Sequence, residues 1–383
     1  MSKKRASAPA AAPQLPVQRS SNLELFRSIA MLLIVAHHYV VNSGLLNVMY
    51  TDAASVRSIL LFLFGMWGKV GINCFLLITG YFMCRKQITA RKYAKLIGEL
   101  LFYRVVIYAI FCLTGYTTFS LKQFALLFHI YRFLTDSFFN CFLMFYLFIP
   151  FLNIMIRSMS RRQHFGLLLL LGFMYVVIGT SRVSSVTMNY VSWFSVLYFM
   201  AAYIRLYPRK LFDSARVWGI VTAVSVLLSM GSVILRACAA GAAERRDVYY
   251  AVIDANKLLA VTTALGAFLL FKNLKLRYSR FINAVGGSTF GVLCIHANGD
   301  TMRQWLWRDL LHNQEMYSAG GMAEALHAVL SVLAVFCICT AIDRLRLHFV
   351  EKPCMKVWDA HWPGLEKKLR RTGSALLQKW GID

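Results

Sequence analysis

A chain of 383 residues that is 58% hydrophobic and only 15% charged, with a mean hydropathy of +0.55, is too apolar for a soluble domain of its size and reads as an integral membrane protein. A formal net charge of +25 would suit nucleic acid, but Lys and Arg gather in short runs between apolar spans, which membrane topology explains better. The nine cysteines show no CxxC pair and no metal-ligand spacing, so they read as small core residues and no metal is expected.

Residues 1–21 open with KKR and continue in Ala, Pro and Gln without an apolar run, so a disordered cytoplasmic tail is expected there. No cleaved signal peptide is read, because the first apolar run carries Arg27 and no small-residue cleavage site closes it. Apolar spans of helical length then recur at 23–42, 58–83, 94–115, 138–156, 164–180, 190–207, 216–235, 251–271, 281–297 and 321–343. The expected fold class is therefore all-α, a polytopic membrane helix bundle of about ten transmembrane helices. Its membrane domain occupies 22–350, and 351–383 form a basic cytoplasmic tail with Trp that lies on the inner leaflet.

The charge distribution orients this division. With the N-terminus inside, the cytoplasmic segments hold 28 of the 42 Lys and Arg, the outer segments nine and the spans five. Both termini are then expected in the cytoplasm. Two outer loops are long, 116–137 and 299–320, and Trp305, Trp307 and Leu311 in the second are spaced like an interfacial helix. A membrane anchor is the first reading of those Trp and a sugar-stacking surface the second.

Ionisable groups at membrane depth are costly and usually face the bundle interior or a wet cavity, so each is a candidate site. In the first span Glu24 precedes Arg27 by three residues, which makes acid and guanidinium helical neighbours able to pair. At 100° and 1.5 Å per residue, Arg27 and His38 fall within roughly 20° of one face and about 16 Å apart in depth, with His37 roughly 80° off that line. His38 is the candidate general base, since a pKa near about 6.5 lets an imidazole take a proton from a hydroxyl and return it at neutral pH. The plainer alternatives are a snorkelling Arg27 and a hydrogen-bonded packing His38.

Gly71 and Gly80 in the second span read as close helix packing before a ligand site. The basic stretch after it, with Arg85, Lys86, Arg91, Lys92 and Lys95, is a positive-inside loop first and a phosphate cradle second. Glu99 and Arg104 are five apart and need not touch, whereas Asp254 and Lys257 are three apart and are expected to pair. His296, after Ser288, is a weaker candidate to support the base, and His129 carries no specific signal.

These residues, in this order, resemble the acyltransferase family 3 membrane proteins. Glu24, Arg27 and His38 resemble the family's opening, an acid three before an Arg and a His after ten intervening residues. GINCFLLITGYF at 71–82 is similar to its Gly-x-x-x-Phe and Ser-Gly-Phe segment, with Thr79 and Tyr81 in place of Ser and Phe; STFGVLCIH at 288–296 is similar to a late Ser, Gly, His span, and FVEKP at 349–353 to a Glu-x-Pro close. The likeness covers about 22–355. It implies an O-acyltransferase of the bacterial inner membrane that moves an acyl group, acetyl most commonly, from cytoplasmic acyl-CoA to a hydroxyl of an extracytoplasmic or lipid-linked saccharide. It further implies that His38 takes the acceptor proton, directly or through an acyl intermediate, that Arg27 with Glu24 stabilises donor phosphate or the His38 environment, and that Arg85, Lys86, Arg91 and Lys92 hold the nucleotide end of acyl-CoA. The expected partners are a saccharide or glycolipid acceptor and membrane lipids, with no nucleic acid; oligomeric state carries no signal.

Two other classes compete. A polysaccharide polymerase or flippase would bring a large outer loop rich in Arg and His, and none here exceeds about 25 residues. A proton-coupled transporter could use His38 and Asp254 as relays, but no internal repeat or pair of broken helices is evident in the sequence.

Overall fold

The computed structural model describes residues 20–129, 137–181, 186, 188–239 and 247–379. The tail expected over 1–21 lies outside them except for Ser20 and Ser21, and Ser21 already begins the first helix. Among the described residues every regular element is helical. The principal ones are α1 (Ser21–Val41), α2 (Val56–Gly65), α3 (Gly68–Met83), α4 (Ala90–Leu113), α5 (Phe138–Ser158), α6 (Arg161–Leu171), α7 (Tyr190–Leu206), α8 (Ala215–Ala239), α9 (Leu258–Asn273), α10 (Arg280–Gly287), α11 (Thr289–His296), α12 (Gly321–Arg346) and α13 (Lys352–Lys379).

Short polar residues set where many of these start. The side chains of Ser55, Thr89, Ser137, Asn189 and Ser279 each accept a hydrogen bond from a backbone N–H in the first turn of α2, α4, α5, α7 and α10, satisfying a donor that the helix itself leaves open. Ser160 and Gln163 close a reciprocal capping box on α6.

Among the described residues seven helical stretches are long and apolar enough to cross a membrane, among them α2 with α3 as one 28-residue stretch and α6 with the π-helical turns that follow it. Helices α7 and α9 are apolar but shorter. The expected span at 281–297 is broken into α10 and α11 at Ser288, and the one expected at 251–271 is helical only from Leu258. That second departure undoes the expected Asp254–Lys257 pair. Residues 251–257 are turns, so three-residue spacing no longer stacks the side chains. Lys257 Nζ instead donates to Gly179 O at 2.7 Å and lies 4.5 Å from the Tyr250 ring centroid.

Helix α1 lies at the centre, against α2, α3, α9, α10, α11 and α12. Its approach to α3 is set by glycine: a Cβ on Gly68 would stand 2.3 Å from the His37 ring, and one on Gly71 2.8 Å from Ala30 O. Only a bare backbone fits there, as the sequence pattern implied for Gly71. A second layer of α5, α7, α8 and α9 packs beside α3. Buried Asn73 on α3 ties it in, donating to Ala255 O at 2.7 Å and accepting from Trp193 Nε1 at 2.9 Å. Bonds of this kind contribute on the order of 0.6 kcal/mol each within a membrane bundle.

Helix α12 continues through a π-helical turn, Leu347–Glu351, into the largely exposed α13. The segment after α11 folds back on the bundle. Trp307 is 0% exposed, its ring packed edge-on to Tyr39 and His296. It is a core residue and not the interfacial anchor its spacing suggested, because the segment that carries it covers α1 and not lipid.

Candidate active site

Two cavities flank α1. One, of about 350 Å³, lies at its N-terminal end and is walled by Glu24, Arg27, Phe75, Thr79 and Lys86 among others. The other, of about 810 Å³, lies at its C-terminal end, where His37 and His38 face Lys69, Arg104 and Arg303. Ile34, Phe138 and Leu293 line both, so the two cavities adjoin across a shared apolar wall. Their volumes are those of small-molecule sites.

Glu24 and Arg27 pair as expected, Arg27 Nη1 to Glu24 Oε2 at 3.1 Å. Gly286 of α10 abuts them, with a Cβ there only 2.6 Å from Glu24 Oε2. His38 meets His296 of α11, Nδ1 to Nε2 at 3.0 Å, although the two are 258 positions apart. His296 Nδ1 is also 2.6 Å from Val292 O. A carbonyl can only accept, so His296 Nδ1 carries a hydrogen and donates it. With both rings neutral, His296 Nε2 then accepts from His38 Nδ1, which leaves the lone pair of His38 Nε2 free as the basic atom.

His37 lines the same cavity wall, contrary to the expectation that it points elsewhere. Its Nδ1 donates to Gly65 O at 2.6 Å. The cavity wraps far enough around α1 that a residue 80° off the His38 line, at about 100° per residue, still reaches it.

What holds α11 is a buried ionic cluster. A Cβ on Gly291 would fall 2.2 Å from Asp343 Oδ1 on α12. That oxygen accepts from Tyr103 Oη and Arg346 Nε, both at 2.9 Å. Arg346 also pairs with Glu99 at 3.1 Å and Glu351 at 3.0 Å, and Lys95 with Glu351 at 2.5 Å. Glu351 of the FVEKP stretch is thus a structural tie between α4 and the end of α12, and Glu99 does not touch Arg104. Removing a buried member of this set, Asp343 or Arg346, costs about 3–5 kcal/mol.

The basic residues after α3 are not gathered into one cradle. Lys86 reaches the smaller cavity. Arg85 donates to Arg205 O, Lys92 to Gln87 O, and Arg91 makes a bidentate pair with Asp359 of α13 at 2.6 and 2.9 Å. Lys69 and Arg104, the cations beside His38, were visible in the sequence only as charges inside apolar spans. Among the described residues no group of His, Cys, Asp and Glu is placed to hold a metal ion.

No curated relative and no solved structure matches the chain. The family model described as an acyltransferase domain matches residues 20–344, a stretch that runs from the cap of α1 to the end of α12 and takes in both cavities, Glu24, Arg27, His38 and His296. The chain belongs to acyltransferase family 3 and is a membrane acyltransferase.

Proposed function

We propose that the chain is an O-acyltransferase of the bacterial inner membrane that moves an acyl group, acetyl in the first instance, from acyl-CoA to a hydroxyl of an extracytoplasmic or lipid-linked saccharide. In this reading both termini lie in the cytoplasm, where the basic segments belong. The smaller cavity, with Arg27 and Lys86, then opens toward the donor, and the larger one, with His38, toward the acceptor. The observation that supports this reading is the Nε2 of His38, left as the basic atom at a cavity that shares a wall with a second cavity at the other end of α1.

The acceptor hydroxyl gives its proton to His38 Nε2 as its oxygen attacks the thioester carbonyl carbon. His38 Nδ1–H, held by His296, keeps the ring oriented, and the imidazolium formed strengthens that bond through its charge. The carbon–sulfur bond then breaks, and the thiolate of CoA recovers the proton from His38. Arg27 and Lys86 supply positive charge for donor phosphates, with Glu24 holding the Arg27 side chain in place.

The test uses the purified full chain in lipid nanodiscs with labelled acetyl-CoA and a panel of oligosaccharides. His38→Ala is expected to lower transfer by about 10²- to 10⁴-fold at unchanged protein level. Normal transfer in that variant would sink the assignment, and uptake of a labelled solute into vesicles without any acylated product would favour transport instead.

A further inference from the structure

The larger cavity carries more positive charge than its chemistry as an acyl-transfer site requires. Among the described residues, Lys69, Arg104 and Arg303 line it against the single carboxylate of Asp300. Lys69 Nζ donates to Tyr190 Oη at 2.6 Å, a neutral partner. Arg104 donates to Leu127 O at 3.1 Å and to Asn140 Oδ1 at 2.9 Å, both neutral. Arg303 does pair with Asp300 at 3.0 Å, but the Asp300 side chain is 98% exposed, and Arg303 Nε is buried without a hydrogen-bond partner. Lys69 and Arg104 are therefore fixed in the cavity wall with their charges uncancelled.

Topology does not account for them. Lys69 is the second residue of α3 and Arg104 sits in the interior of α4, both on the His38 side, away from the basic segments. A long side chain could have snorkelled to the water, yet both are tied to polar atoms that turn them into the cavity. A cation in such a place is costly unless something negative offsets it. At the smaller cavity the balance differs: Arg27 is paired with Glu24, which leaves Lys86 as the one further cation among its described lining residues. The excess lies on the acceptor's side.

We propose that the larger cavity selects an acceptor glycan bearing an anionic oxygen group, a hexuronate carboxylate or a phosphodiester, close to the hydroxyl that is acylated. This rests on the acyl-transfer reading above. Lys69, Arg104 and Arg303 receive the anion, and Tyr190, whose hydroxyl Lys69 holds, offers a ring face to the sugar. Placing the anion there also fixes the hydroxyl relative to His38.

Three matched labelled-acetyl acceptors decide it with the full chain in nanodiscs: a neutral oligosaccharide, its hexuronate-containing analogue and its phosphodiester-containing analogue. The expected result is an efficiency, kcat/KM, at least about tenfold higher for one or both anionic acceptors than for the neutral one, with the preference falling as salt rises. Which of the two is preferred identifies the source of the anion. Lys69→Gln and Arg303→Gln should each reduce the anionic-to-neutral ratio severalfold; Arg104→Gln is read together with a thermal melting curve, since Arg104 also bridges two backbone segments. Equal efficiency for all three acceptors, or a ratio that the substitutions leave untouched, overturns charge selection alone. Transfer to none of the three overturns the acyl-transfer reading on which it rests.

Discussion

A single hydrogen bond decides which atom of His38 can act. Val292 O fixes the hydrogen on His296 Nδ1, His296 Nε2 fixes the hydrogen on His38 Nδ1, and the basic lone pair is left on His38 Nε2. His296 does not touch substrate in this scheme; it positions His38. Replacing it by Leu removes the acceptor, lets the proton of His38 move to the wrong nitrogen, and should lower kcat at least about tenfold with little change in acceptor KM. His296→Gln keeps a carbonyl oxygen that can accept from His38 Nδ1, and should restore part of the loss. A merely structural role would instead give equal losses in both variants, parallel to their thermal stability. The sequence made one half of this site readable and hid the other. Glu24 and Arg27 are one helical turn apart, and their pairing follows from spacing alone. His38 and His296 meet only through the tertiary fold, so the sequence marked His296 as a weaker supporting candidate and as the His of the late Ser, Gly, His span, but not as the direct partner of His38. His37 and Trp307 misled for the same reason: a helical wheel gives a direction but not what the neighbouring elements place there.

At the scale of helices, the position of His37 and His38 depends on how closely α3 lies against α1. Gly68 and Gly71 allow contact distances that no Cβ could occupy. Gly68→Leu should force α3 outward, at a cost of about 1–3 kcal/mol for overpacking, and should abolish transfer as the cavity wall carrying the histidines shifts. Gly98 in α4 is the control, because a Cβ there meets nothing within 4 Å. Gly98→Ala should leave activity intact and raise stability by about 0.5–1 kcal/mol through helix propensity. Thermal unfolding of both variants in one detergent, followed by the change in intrinsic Trp fluorescence, separates them; similar melting temperatures would show that the helix contact is not tight. Close packing was legible in the sequence at Gly71 and Gly80, whereas the tighter contact at Gly68 was not. The breaks at Ser288 and at 251–257 were not, since hydropathy registers an apolar run whether or not its backbone stays helical.

Across the whole molecule the proposed reaction requires the two cavities to open on opposite sides of the membrane, and three cysteines make that orientation measurable. Cys238 is exposed near the end of α8 and Cys354 is exposed at the start of α13. The charge count places the first outside and the second in the cytoplasm. Cys337 is also exposed, but it lies within α12, in a stretch long and apolar enough to cross a membrane, where a charged reagent is not expected to reach. In a variant series that keeps one of the three, a membrane-impermeant maleimide applied to intact cells should label Cys238, should label Cys354 only after the membrane is opened, and should leave Cys337 unlabelled in both cases. Labelling of Cys354 from outside would invert the molecule and send the His38 cavity to the cytoplasm. The donor would then meet the larger, more basic cavity and the acceptor the smaller one, so the same measurement also tests which substrate the charges of Lys69 and Arg104 serve.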